Sequence, residues 1–248
     1  MQHVGVQSLL KVHIDEKIYT SANGGKILAL EDTHFTLTKN SFTVLFGPSG
    51  CGKSTLLRIL AGLDPHYKGK VEWETPPKIG FVFQEPRLLP WRSVRDNVML
   101  RADPTFGEAE FSQLMEAMGL TELVDNFPSE LSLGLARRVG IARAFATKPN
   151  LLLLDEPFVS LDAPTASRLR QLVRRLWEDN PITAVMVTHD MREAVELGEE
   201  VLLITTRPGR VRERLKILPT DRANEAAIEA KRAEVKARYP DLFEAVAE

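Results

Sequence analysis

Cysteine is nearly missing from this chain of 248 residues; the one it holds is Cys51. A disulfide framework within the chain is therefore excluded, and a reducing compartment is expected. Charge of one sign is lacking too: 32 Lys and Arg against 34 Asp and Glu leave a net charge of −2. Bulk electrostatics thus give no case for nucleic acid as the main partner. No stretch approaches the roughly 18 consecutive apolar residues of a membrane-spanning helix. The start of the chain carries Gln2, His3, Gln7 and Ser8, where a signal peptide would need a sustained apolar run. A cytoplasmic location is expected. Internal repeats and low-complexity linkers are absent as well. What remains, at 44% hydrophobic content, suits one large globular domain or a core plus a subdomain.

The stretch around which the rest is organised is Gly47-Pro48-Ser49-Gly50-Cys51-Gly52-Lys53-Ser54-Thr55, with the spacing G-x-x-x-x-G-K-S/T. An apolar, β-prone run (Phe42, Thr43, Val44, Leu45, Phe46) precedes it, and a good helix former (Leu56, Leu57, Arg58, Ile59, Leu60, Ala61) follows. Strand, glycine loop and helix in that order define a phosphate-binding loop. A helix start offers unpaired N–H groups and the positive end of a dipole to a polyanion. Gly47, Gly50 and Gly52 let the backbone approach it closely. Lys53 would reach the β- and γ-phosphates of ATP, and the Ser54 hydroxyl would ligate Mg²⁺. Cys51 reads either as a small side chain in a tight loop or as a redox sensor.

Before the loop, residues 6–20 and 27–37 lean towards β structure around a turn at 21–25, which makes antiparallel strands plausible. Tyr19 is the aromatic best placed to stack on a nucleobase, or else a half-buried strand tyrosine. Residues 70–83 read as two short strands around Pro76-Pro77. Helical periodicity then dominates 85–146, read as a helical insertion. Strand, helix, strand, helix and strand follow at 151–154, 164–178, 183–188, 191–197 and 201–205. A last strand is expected at 211–218 and an Ala/Glu/Lys/Arg-rich helix at 221–237. Alternating strands and helices indicate an α/β fold with a mostly parallel sheet covered on both faces. The expected division is a nucleotide-binding core (1–84 and 147–218), a helical subdomain (85–146) and a helical tail (219–248).

A second chemical cluster ends the run of Leu151, Leu152, Leu153 and Leu154 in Asp155-Glu156-Pro157. Ligands of α/β sheets bind at the carboxyl ends of strands. Asp155 would hold Mg²⁺, and Glu156 would take a proton from the water attacking the γ-phosphorus. By the same rule His189, just past 183–188, would project towards the γ-phosphate, unless it is a satisfied structural histidine. Gln84, also just past a strand, could touch the metal or the attacking water.

Together these residues resemble the ATP-binding subunits of ABC transporters over nearly the whole chain. Residues 47–55 match Walker A and 151–156 match Walker B. Gln84 resembles the Q-loop glutamine, a metal and nucleotide contact, and His189 the switch histidine. Asp162, in Ser160-Leu161-Asp162, resembles the D-loop, and Tyr19 the adenine-stacking aromatic. Ser132, Leu133 and Gly134, with Arg137-Arg138 beyond, fall where the family carries its signature. The resemblance implies a P-loop NTPase with an N-terminal antiparallel β subdomain and a helical insertion. It implies an ATPase using ATP and Mg²⁺ that dimerises head to tail with a second subunit, identical or paralogous. The signature would then close over the nucleotide of the partner. A separate transmembrane permease, an extracellular or periplasmic solute-binding protein and a peripheral place on the cytoplasmic membrane face are implied too.

The signature departs from the family at Leu133 and Leu135, where glycine and glutamine or methionine are usual. If that backbone takes φ > 0, Leu133 is strained by about 1–2 kcal/mol, and a leucine would crowd the phosphate. An active but slower site follows. The stretch 84–98, rich in Leu88, Leu89, Pro90 and Trp91, and the turn Arg207-Pro208-Gly209-Arg210 are similar to importers of nitrate, sulfonate and taurine. Leu88 to Trp91 would dock a permease helix, or pack a helix entry. The alternative to an importer is a soluble ATPase of the same family in assembly or envelope lipid handling, against which the importer-like stretch argues.

Overall fold

The computed structural model describes residues 8–21 and 23–243. Residues 1–7, including Val6 of the first β-leaning run, Ala22 of the turn after it, and 244–248 of the tail lie outside them. The chain divides into two compact units, Met1–Pro76 with Thr183–Glu248, and Pro77–Ile182.

The first unit holds, in chain order, β1 (Ser8–Thr20), β2 (Lys26–Thr38), β3 (Phe42–Phe46), α1 (Lys53–Leu60) and β4 (Lys68–Trp73). After the second unit come β7 (Thr183–Thr188), α6 (Met191–Leu197), β8 (Glu200–Ile204), β9 (Val211–Lys216) and α7 (Glu225–Arg238). The second unit holds β5 (Ile79–Val82), α2 (Val94–Met99), α3 (Glu108–Met118), α4 (Leu133–Ala146), β6 (Leu151–Asp155) and α5 (Ala163–Asp179).

In the first unit β1 lies between β2 and β4, antiparallel to both. Leu10, Val12 and Ile14 are buried while Lys11, His13 and Asp15 face outward, the period-two pattern of a half-covered sheet. β3 runs parallel between β7 and β8, and β9 closes the edge antiparallel to β8. Every residue of β3 and β7 is buried, as strands covered on both faces require. α1 buries Leu56, Leu57, Ile59 and Leu60, each such side chain stabilising the fold by roughly 1.5–3 kcal/mol. Gly62, at φ +68°, then ends the helical run in a backbone that glycine adopts freely. The tail helix starts four residues later than its composition suggests. Pro219–Arg222 forms a 3₁₀ turn, and Asn224 accepts a hydrogen bond from the Ala227 N–H at 3.0 Å, capping α7 there.

In the second unit β5 and β6 pair in parallel, and α4 packs against β5, α2 and α3. A Cβ on Gly80 would come within 2.7 Å of the Ala144 carbonyl oxygen, so this helix and strand touch through glycine. α5 buries Leu169, Val173, Leu176 and Trp177, the stripe of an amphipathic helix. The two short strands expected around Pro76-Pro77 exist as β4 and β5, but they belong to different sheets.

Candidate nucleotide site

The glycine loop joins β3 to α1, where the sequence places it. Gly50 and Gly52 take φ +75° and +101°, backbone that a side chain strains. A Cβ on Gly52 would stand 2.7 Å from Leu30 Cδ2 and 2.8 Å from the Ala29 carbonyl oxygen. Gly47 meets a different limit: its Cβ would lie 2.6 Å from the Ile204 carbonyl oxygen. Lys53 is 4% exposed, and its ammonium donates to the carbonyl oxygens of Gly47 at 2.8 Å and Pro48 at 2.9 Å. The cation thus lies along the inside of the loop. Cys51 is 1% exposed. A thiol so buried lacks the access a redox sensor needs, which leaves the small-side-chain reading.

The sequence reads 207–210 as a turn similar to one in the importers; in the fold it braces the loop. Arg207 Nε donates to the Gly50 carbonyl at 3.1 Å. Gly209 is bonded into β2 by its N–H to Ala29 O at 2.9 Å and by its carbonyl to the Glu31 N–H at 3.1 Å. A side chain on Gly209 would overlap the Cys51 carbonyl oxygen. An Arg-Pro-Gly-Arg string reports a turn but not what the turn rests on.

Tyr19 is half-buried, and its hydroxyl donates to Asp64 at 2.8 Å and towards Thr55 Oγ1 at 3.3 Å. That ties β1 to the helix behind the loop. Lys17, 3% exposed, places its ammonium 4.5 Å from the Tyr19 ring centroid and pairs with Asp64 at 2.6 Å. Burial raises the Asp64 carboxyl, but the bonds from Lys17 and Tyr19 outweigh it and hold the group below its ordinary range. His189 follows β7 and is exposed. Phe46 and Thr188 are register partners, so the loop and His189 leave the sheet at one edge, the carboxyl ends of parallel strands.

In the second unit Val82 and Leu154 are register partners, so Gln84 and Glu156 each follow two residues past the pair. Asp155 ends β6 at 5% exposure. Glu156 takes φ +43°, a left-handed backbone uncommon for a side-chain-bearing residue. Asp162 caps α5, accepting the Thr165 N–H at 3.0 Å. That backbone bond holds its carboxyl below the ordinary range. Ser132 caps α4, its hydroxyl accepting from the Leu135 N–H at 3.3 Å.

Leu133 corrects an expectation. It opens α4 and is not among the residues with positive φ, so the strain considered for it is not incurred. It is 44% exposed. Leu133→Gly is therefore expected to leave steady-state ATPase activity within about threefold, with stability lowered by up to about 1 kcal/mol, the cost of glycine in a helix. Phosphate release and a thermal melt check this; a tenfold gain in turnover would mean that the leucine crowds the phosphate after all.

A strand, glycine loop, lysine and helix on a parallel sheet define a P-loop NTPase. The family model for ABC transporters matches residues 30–159, more than half of the chain. The chain is 40% identical over 219 residues to an aliphatic sulfonates import ATP-binding protein of Pseudomonas savastanoi pv. phaseolicola, covering 87% of this chain and 90% of that one. It is 39% identical over 246 residues to a protein of the same name from Burkholderia lata, covering 95% and 86%. Among solved structures it is similar to the ATP-binding cassette MJ0796 in a dimeric post-hydrolysis state bound to ADP and Pi, with a TM-score of 0.71, 29% identity, and 85% and 99% of the two chains covered. The chain belongs to the ABC transporter family. With that membership come ATP binding, ATP hydrolysis and a role in transport. No helix among the described residues is long and apolar enough to cross a membrane.

Proposed function

We propose that this ATPase powers import of an aliphatic sulfonate through a separate permease, acting as a dimer on the cytoplasmic face of the membrane. The observation that carries this reading is the 39–40% identity to sulfonate import ATP-binding proteins over 87–95% of the chain. The dimeric cassette it resembles supports pairing with a second subunit. A solute-binding protein would deliver the cargo to the permease.

In this reading Lys53 and the N–H groups of residues 47–55 grip the terminal phosphates, and Tyr19 borders the base. Glu156 accepts the proton of the attacking water, and His189 and Gln84 border the γ-phosphate. Ser132, Leu133 and Gly134 meet the partner's nucleotide, with Asp162 nearby in that interface. Magnesium fits the donors available: the Ser54 hydroxyl, the Gln84 amide oxygen and the Asp155 carboxylate are all oxygens, the ligands a hard cation takes. No group of three or more His, Cys, Asp or Glu able to hold a metal occurs among the described residues, so the nucleotide's own oxygens would complete the shell. Bound there, the ion would neutralise charge on the phosphates.

For the permease, Trp91 stands 71% exposed. The backbone behind it is held by buried Asn97, which accepts from the Leu89 N–H at 2.8 Å and donates to the Arg92 carbonyl at 3.0 Å. In the same unit, Phe81, Phe83, Arg87, Leu100 and Arg143 line a groove of about 790 Å³. An exposed aromatic on a firmly held backbone and a groove lined by apolar side chains and arginines are each suited to take a partner helix.

Deletion of the gene in its own host tests the reading. Growth with an alkanesulfonate as sole sulfur source should stop, growth on sulfate should continue, and the intact gene but not Glu156→Gln should restore it. Unimpaired growth on every sulfonate tried would overturn the substrate class.

A further inference from the structure

Glu156 keeps an unfavourable backbone conformation, and a buried side chain of α4 is bonded to the loop that contains it. Arg137 is 6% exposed. Its guanidinium donates to the carbonyl oxygens of Pro157 at 2.8 Å and Val159 at 2.5 Å, and more weakly to that of Glu156 at 3.5 Å. Two non-glycine residues of this loop take left-handed backbone, Glu156 at φ +43° and Ser160 at φ +62°. The three acceptors of Arg137 lie at or between them. Left-handed backbone in such residues persists only where surroundings over-determine it. A planar fork with several fixed donors can bind successive carbonyls at once, and an ammonium cannot.

We propose that Arg137 is a positioning residue for Glu156, fixing the loop that aims its carboxylate. This rests on Glu156 being the base. The same helix begins at Ser132, whose hydroxyl caps it. Arg137 therefore joins the signature, which serves the partner's nucleotide, to the base that serves this subunit's own. A shift of α4 on closure of the dimer would reach the loop that carries Glu156 through three hydrogen bonds, one of them to Glu156 itself. In this proposal Arg137 acts on the loop after β6 and not on the groups that grip the phosphates, so ATP binding is expected to be kept.

The test compares Arg137→Met, Arg137→Lys, Glu156→Gln and the double variant Arg137→Met/Glu156→Gln in the full chain. Turnover, KM for ATP, fluorescent-nucleotide affinity and melting temperature are measured. Arg137→Met should lower kcat by about 10²-fold, the cost of misplacing a catalytic group. KM and affinity should stay within about twofold, the sign of an interaction that acts only on the chemical step. Arg137→Lys should recover part of the loss, and it alone decides the matter if Arg137→Met does not fold. The double variant should be no slower than Glu156→Gln, because residues acting through one group are not additive. Normal turnover in the Arg137 variants, equal losses in affinity and kcat, or a further loss in the double variant overturns the proposal while Glu156 stands. Normal turnover in Glu156→Gln alone overturns the catalytic assignment itself, and this proposal with it.

Discussion

Glu156→Gln is expected to keep ATP binding and to lower turnover by about 10²–10⁴-fold, the usual worth of a positioned base. Glutamine has nearly the shape of glutamate and retains an oxygen that accepts hydrogen bonds, but it cannot take up a proton. The left-handed backbone at this position is set by the loop and is available to either side chain. Binding should survive because the groups proposed to grip the phosphates, Lys53 and the loop N–H groups, lie outside the substitution. Nucleotide retention and phosphate release, measured on the same purified variant with magnesium, separate the two effects. Hydrolysis at near the parent rate would remove Glu156 from the role.

The opposite pattern is expected of Lys53→Ala: affinity goes first. The Lys53 ammonium is almost fully buried, with its donors on two loop carbonyls. The side chain is already held against the loop, so little side-chain entropy remains to be lost on binding. Hydrogen bonds to charged groups contribute about 1.5–3 kcal/mol, equivalent to roughly 10–150-fold in ATP affinity. The fold should persist, since no unpaired buried charge is left behind. Fluorescent-nucleotide titration beside a thermal melt checks both points. Parent affinity in a folded variant would mean that the loop amides alone hold the nucleotide.

Local chemistry made much of this legible before any coordinates. The glycine spacing of 47–55 demands a tight bend because only glycine accepts φ values such as those at Gly50 and Gly52. The β-prone run at 42–46 and the four leucines at 151–154 read as strands, the latter suited to a sheet covered on both faces. β-leaning residues marked β1 and β2, and a period of 3.6 marked α3 and α4, since a side chain's facing repeats with its neighbours along the chain. The four-residue error at the start of α7 has an equally local cause. Composition favoured a helix from Asp221, but the cap that starts it is Asn224.

Other features have no period and no spacing. β4 and β5 are separated by a few residues and read alike, yet one pairs with β1 and the other with β6. Strand pairing is settled by partners far away in the chain. Leu133 looked strained by comparison with a glycine-bearing motif. The helix that begins at it takes ordinary backbone there.

The chain's order of residues thus specified the phosphate loop, the acid pair and the alternation of strands and helices, because each depends on neighbours within a few positions. Folding alone brought Arg207 to Gly50, Gly209 to Cys51 and Arg137 to the loop after β6. Those contacts join residues up to 158 positions apart in the case of Gly209 and Cys51 (209 − 51). They rest on carbonyl oxygens, which every residue carries and which no string of letters distinguishes.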